Sequence, residues 1–344
     1  MLLVIVGAGA SFDSAAQDGG SHEFRPPLAS GLFAELPLNV RLLAKYPRAA
    51  PIVARVRLAM AAGAPLESIL EELRSEESVD PRRRSQLLAI QYYLRSLLAE
   101  CSYGWLTSHG GVTNYAMLAD LIDSCRLPKG GAVLYVSFNY DTLLESGIEA
   151  ARGRTFGSID SYVDGEVSLF KVHGSVNWGQ IVTHSGFDST TVITPNELCD
   201  LAPELAIHPE YRVEIRDLET QEGSPTVIPA IAIPTQTKRN FACPDAHIKA
   251  LQGALPHVRK VVAIGWRGAE EHFLELLREG LPKQTQAFVT TDSRAGCEGT
   301  ARKLQDAGLS PDFLFPDGFS GLMRDDVAGD RSLRRFVEQA FAKP

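Results

Sequence analysis

Three short runs bring together residue types capable of chemistry: Gly7-Ala8-Gly9-Ala10-Ser11, Ser137-Phe138-Asn139-Tyr140-Asp141 and Lys171-Val172-His173-Gly174-Ser175. Glycines at the first lets a backbone turn tightly and approach a phosphate, whose charge is met by amides and a helix N-terminus. A dinucleotide fingerprint wants a third glycine where Phe12 stands, and no Lys-Ser/Thr pair follows to make a Walker loop. The loop therefore fits either a nucleotide site or a plain strand-to-helix turn. In the second run Asn139 can make a turn and Asp141 can cap the helix that follows; the same two polar groups can equally face a ligand. In the third, Gly174 permits a sharp turn that leaves His173 facing a crevice, and histidine is the side chain best suited to moving protons near neutral pH. The chain has eight histidines. His22, His109, His184, His208, His247, His257 and His272 have no comparable setting and read as structural.

Each of these runs follows an apolar, β-branched stretch that must hold it in place. Residues 2–6 are wholly apolar and stop at Gly7, as a strand buried on both faces of a parallel sheet does. Similar stretches recur at 132–138, 167–172, 227–233 (with Pro229 a caution), 261–265 and 286–290. Helical patterns lie between many of them, at 141–150, 245–255, 270–278 and 295–307. That alternation predicts an α/β fold with a doubly wound, mostly parallel, Rossmann-like sheet. Ligands in such sheets bind outside the carboxyl ends of the strands, where all three runs fall.

A long helical block, 28–124, interrupts the alternation after the first strand. Leu66, Ile69, Leu70 and Leu73 recur at helical spacing, and the nearly apolar 86–98 reads as a buried helix or a subunit contact. The expected organisation is a core of 1–27 and 125–325, a helical insertion or lid at 28–124, and a C-terminal helix at 326–344.

Composition narrows the function. With 34 basic and 42 acidic side chains the formal charge is −8, the opposite of a nucleic-acid footprint. Arg82, Arg83 and Arg84 form the one basic run and suit a solvated helix start. None of the five cysteines pairs as C-x-x-C, so a structural zinc ligand set of the usual spacing is missing and no metal is expected. The opening apolar run is short for a signal sequence, and no stretch approaches the roughly 20 apolar residues of a membrane helix. A soluble, cytoplasmic protein without membrane or direct nucleic-acid partners is expected.

Together GAGAS (7–11), NYD (139–141) and HG (173–174) resemble the sirtuin-like family, in that family's order and roughly its spacing. Phe24-Arg25-Pro26-Pro27-Leu28 sits where such proteins carry a loop covering NAD, 264–267 resembles a later strand and glycine turn, and 290–293 resembles the segment that meets the adenosine end. The resemblance implies a sirtuin-type fold with NAD as substrate. It implies Gly7, Ala8, Gly9 and Ser11 at the pyrophosphate, Asp141 and Asn139 at the nicotinamide side, Asn139 also positioning a nucleophile, and His173 as general base. Gly265 joins this set. Arg25 would clamp phosphate or make a surface salt bridge, Asp292 would accept ribose hydroxyls or cap the next helix, and Trp178 would wall the pocket or fill the core. Without the paired zinc cysteines of the deacylases, the chain looks like the bacterial zinc-free branch of NAD-consuming antiphage effectors. That branch implies an NAD glycohydrolase acting as a homo-oligomer or with a co-encoded sensor or ATPase. A deacylase, an ADP-ribosyltransferase and a non-catalytic nucleotide-binding module are the alternatives.

Overall fold

The computed structural model describes residues 1–15, 23–187, 192–213, 224–234 and 241–342. Among them, six strands form one parallel sheet: β1 (Leu2–Val6), β2 (Val133–Ser137), β3 (Val167–Lys171), β7 (Lys260–Ile264), β8 (Gln286–Thr290) and β9 (Ser310–Phe315). Their order is β3-β2-β1-β7-β8-β9. The chain winds outward through β1, β2 and β3 in one direction and through β7, β8 and β9 in the other, so the order reverses between β1 and β7. This is the doubly wound α/β architecture, in which ligands bind outside the carboxyl ends of the strands where the order reverses, here β1 and β7.

The period of two in a strand explains why the central runs are apolar on both faces along most of their length. Leu2, Val4 and Val6 of β1 face one hydrophobic layer, together with Val133, Tyr135, Val262 and Ile264. Leu3 and Ile5 face the other, together with Leu134, Val136, Val261 and Ala263. Helices cover both faces.

Helix α1 (Ala8–Phe12) follows β1, and the insertion then supplies α2 (Pro37–Leu43), α3 (Ala50–Ala61), α4 (Leu66–Ser75), α5 (Pro81–Ser108) and α6 (Asn114–Arg126). The first sheet layer is packed by α6, by α7 (Leu143–Arg152) and by the terminal helices α12 (Gly318–Ala328) and α13 (Ser332–Ala340). The second is packed by α9 (Asp245–Ala254), α10 (Glu271–Gly280) and α11 (Arg294–Asp306).

A second sheet corrects one sequence expectation. Residues 227–231 do form a strand, β6 (Val227–Ile231), but it lies in an antiparallel sheet with β4 (Gly174–Thr183) and β5 (Ala206–Val213), in the order β5-β4-β6. Pro229 explains the placement, since a residue without an N–H is tolerated on an edge strand and not inside a parallel sheet. Val176, Val182, Ile228 and Ile231 of this sheet share a hydrophobic core with Ile52, Leu70, Tyr92 and Leu97 of the insertion. The short helix α8 (Pro195–Leu201) joins the same core through Leu198 and Cys199. Residues 86–98 are thus an internal part of α5, buried within the chain. No helix among the described residues is long and apolar enough to cross a membrane.

Candidate active site

At the order reversal two loops interlock. Gly7 N–H donates to Ile264 O at 3.0 Å and Gly9 N–H to Gly265 O at 3.0 Å, while Ala10 N–H returns to Gly7 O at 2.9 Å. A Cβ on Gly7 would stand 2.7 Å from Gly265 O, and one on Gly265, whose φ is +58°, would stand 2.1 Å from Ala10 N. The glycines are required here because two backbones touch. The amides of Gly7, Gly9 and Ala10 are bonded within the protein, and Ala8 is exposed on the outside of the turn. What the loop presents inward is the Ser11 hydroxyl, bonded to Tyr115 Oη at 2.9 Å.

Asn139 stands at the end of β2 and closes on that loop. Its Nδ2 lies 2.9 Å from Gly7 O, 2.8 Å from Ser11 Oγ and 3.2 Å from Tyr115 Oη. The Gly7 carbonyl can only accept, so the nitrogen side of the carboxamide must face it. Oδ1 then points the other way, buried and without a hydrogen-bond partner. Burial pushes the Tyr115 phenol well up, and the nearby Asp141 carboxylate adds to this, so Tyr115 stays a neutral hydroxyl. Asp141 takes the capping alternative: its Oδ1 accepts Leu143 N–H at 3.1 Å at the start of α7. Behind it, fully buried Lys171 donates to Asp141 O and pairs with Glu145 at 3.1 Å. Burial raises the Glu145 carboxyl pKa, and the Lys171 ammonium partly pulls it back.

His173 follows β3, at the point where the chain leaves the parallel sheet. Gly174 has φ +80° and lies so close to β6 that a Cβ would meet Ala230 O at 1.8 Å. The imidazole is thereby fixed over β2, with Nδ1 at 3.1 Å from Phe138 O. A carbonyl accepts only, so Nδ1 carries the hydrogen and the neutral ring keeps its lone pair on Nε2. Nε2 lies 4.0 Å from Glu270 Oε1. The Phe138 ring meets the imidazole edge-on at 5.0 Å, and Tyr140 lies along its face at 6.0 Å. Asn139 is 5% exposed and His173 3%, so both groups work in enclosed surroundings.

Gly7, Gly9, Ser11, Gly265, Asn139, Asp141 and His173 therefore belong to one connected strand-end assembly. Arg25 lies at its edge, with its guanidinium carbon 4.8 Å from the Phe12 ring and 5.6 Å from Trp105. It forms no ion pair among the described residues, and its Nε and Nη2 are shielded without a hydrogen-bond partner. Asp292 is exposed after β8, and the capping of α11 falls instead to Ser293, which accepts Gly296 N–H at 3.2 Å. Trp178 is a core residue, fully buried against Tyr162 and His247. His247 is likewise internal, donating Nε2–H to Ile159 O at 3.1 Å; His22 lies outside the described residues.

Sequence reasoning missed Tyr115, Trp266 and Glu270. Trp266 stacks on Phe138 at 5.3 Å and donates its indole N–H to Glu270 Oε2 at 2.8 Å. A signal for both was present, because they follow directly on the strand ending at Ile264. Tyr115 had none: it arrives from the insertion's last helix, 104 residues from the serine it bonds.

No family model matches the sequence, and no curated protein matches it. Among solved structures the chain is similar to one described as the crystal structure of a Sir2 homolog–NAD complex, with 13% identity over 99% of this chain and 90% of that one, at a TM-score of 0.43.

Proposed function

We propose that this chain binds NAD at the order reversal of its parallel sheet and hydrolyses the nicotinamide–ribose bond, giving nicotinamide and ADP-ribose. The observation that carries this reading is that two buried polar groups, each with an acceptor atom turned away from its own anchoring bond, stand at the ends of the adjacent strands β2 and β3. Asn139 holds a buried carbonyl oxygen with no partner, and His173 is held as the tautomer whose Nε2 can accept a proton. A buried acceptor of that kind is costly unless a ligand group meets it. Arg25 fits a diphosphate for the same reason, with shielded donors and a planar fork suited to phosphate.

In this reading Asn139 Oδ1 accepts a hydrogen bond from the attacking water and holds it in line. His173 Nε2 takes the water's other proton: the O–H bond breaks, an N–H bond forms, and the oxygen keeps the electron pair that attacks the ribose carbon. Nicotinamide in NAD is already cationic, so it leaves with the glycosidic electron pair and needs no acid. The surrounding aromatic rings exclude bulk water, which an oxocarbenium-like transition state requires. Arg25 would hold the diphosphate, Asp292, exposed after β8, would accept from the adenosine ribose hydroxyls, and Asp141 and Gly265 would contribute to the cofactor site.

The GAGAS, NYD and HG runs support membership of the sirtuin-like family, in the zinc-free branch of antiphage effectors. NAD depletion in a cytoplasmic defence system, acting as a homo-oligomer or with a co-encoded sensor or ATPase, is the biological role we assign. The test is nicotinamide release from NAD by the purified chain, alone and with an acyl-peptide. Release in water alone, abolished by H173A and N139A with the fold retained, is expected. Both variants working at the parental rate overturns the site, and release that requires the peptide overturns hydrolysis.

A further inference from the structure

Glu270 is placed oddly for its position in the chain. It is the N-cap residue of α10, where an acidic side chain ordinarily accepts from the first free amides of its own helix. Here no side-chain cap is made. The carboxylate instead turns back to the strand ends: Oε2 accepts the Trp266 indole N–H at 2.8 Å, and Oε1 stands 4.0 Å from His173 Nε2. Trp266 is itself fixed, stacked on Phe138 with ring planes 12° apart. Phe138 also supplies the carbonyl that holds His173 Nδ1 and the ring that packs its edge. The chain thus forms a closed circuit from Phe138 to His173 to Glu270 to Trp266 and back. A helix cap has been given up to put a carboxylate beside the imidazole.

We propose that Glu270 is a positioning residue for His173, an electrostatic partner that stabilises the imidazolium formed when Nε2 takes a proton. This rests on the reading of His173 as the base. At 4.0 Å the two groups are too far apart for a hydrogen bond in the neutral state. They are close enough for a charge on the ring to be felt strongly, and a small rotation brings a protonated Nε2–H onto Oε1. The groups described around the ring fit this role. Phe138 and Tyr140 present aromatic surface, and Glu270 presents the carboxylate facing Nε2. The same carboxylate, after burial, helps push the Tyr140 phenol up, so Tyr140 stays neutral and does not compete as a base. Proton balance is simple: the proton gained by Nε2 rests against Glu270 until product leaves, and then returns to water.

The test uses the full chain with E270Q, E270D and W266F. Glutamine keeps an oxygen for Trp266 and removes the charge; aspartate keeps the charge on a shorter arm. For nicotinamide release, kcat is expected to fall roughly 10- to 100-fold in E270Q, a part of what a general base contributes, with KM for NAD unchanged and thermal unfolding as in the parent. E270D should recover most of that loss, and W266F should fall between. A rise in KM without a fall in kcat, or E270D as poor as E270Q, overturns the proposal. A readout independent of turnover separates it from the reading of the reaction: the side-chain ¹⁵N resonances of His173, identified by their loss in H173N. In E270Q the pH titration of the Nε2 resonance should shift to lower pH, because the imidazolium has lost its carboxylate partner, while Nδ1 keeps its hydrogen throughout. If the parent releases no nicotinamide, the hydrolase reading fails, and the Nε2 titration still decides whether Glu270 governs the imidazole. An unmoved Nε2 titration overturns the coupling whatever the enzyme does.

Discussion

Truncating Asn139 to alanine should extinguish nicotinamide release at little cost to the fold, and the contacts around the carboxamide say why. Nδ2 has two hydrogens to share among the three acceptors within reach, so at most two full hydrogen bonds are lost. At about 1 kcal/mol each, that is about 2 kcal/mol. None of the partners is orphaned by the change. Gly7 O still accepts from Ala10 N–H at 2.9 Å, and the Ser11 and Tyr115 hydroxyls remain bonded to each other at 2.9 Å. The variant also removes a buried acceptor without a partner, whose desolvation costs about 1–3 kcal/mol in the parent. The terms largely cancel, and Tm should move by only a few degrees. Turnover should fall about 100-fold or more, the scale on which misplacing a reacting group acts. Differential scanning calorimetry and nicotinamide release followed by chromatography measure the two quantities on one sample. A variant that unfolds at room temperature would make Asn139 a structural keystone and refute the reasoning. So would one that unfolds like the parent and turns over within roughly threefold of it, the edge of what mispositioning can hide.

Breaking the Lys171–Glu145 pair with K171M should cost about 3–5 kcal/mol by urea unfolding, since it strands a buried carboxylate. Burial already raises the Glu145 pKa against the pull of Lys171, so without the ammonium the folded state holds the ionised carboxylate at a greater cost than the unfolded chain does. The loss should therefore be larger at pH 8 than at pH 5, and K171M/E145Q should recover most of it. G174A forces alanine into a left-handed backbone, at about 1–2 kcal/mol, and into contact with Ala230 O. It should destabilise the chain and abolish release, through loss of the His173–Phe138 bond. Burial lowers the pKa of His247, so stability should drop as pH falls below about 6.5, where the unfolded histidine gains a proton. H247F, which keeps the ring against Trp178, should flatten that part of the stability–pH curve; an unchanged curve would place the titration elsewhere.

Much of the main sheet was legible because its central strands are buried on both faces and must be largely apolar, as 2–6, 261–265 and the middle of 286–290 are. Strands with one wet or irregular face were not. Ser310–Phe315 carries Pro311 and Asp312 at the sheet edge, and Ala206–Val213 is largely exposed along its length. Gly174–Thr183 interleaves Ser175, Asn177 and Gln180 with apolar residues and begins directly after His173, so it reads as a loop. The strand-end rule pointed to Asn139 and His173 as candidates because each follows an unmistakable buried strand. It stopped at Gly265, although Trp266 and Glu270 stand on the same rim. What local pattern could not reveal was Tyr115, delivered by a helix of the insertion. The purpose of Gly7 and Gly9 was also hidden, since the backbone they accommodate lies more than 250 residues away along the chain.

That contact between Gly7, Gly9 and Gly265 carries an evolutionary corollary. Two turns that touch backbone to backbone cannot drift one at a time, because any side chain on either is rejected by the other. Variation at the rim is channelled into exposed positions beside the seam, such as Ala8 and Arg267. Homologues with altered ligand preference should therefore differ at those exposed positions first, with the three glycines either kept together or replaced together.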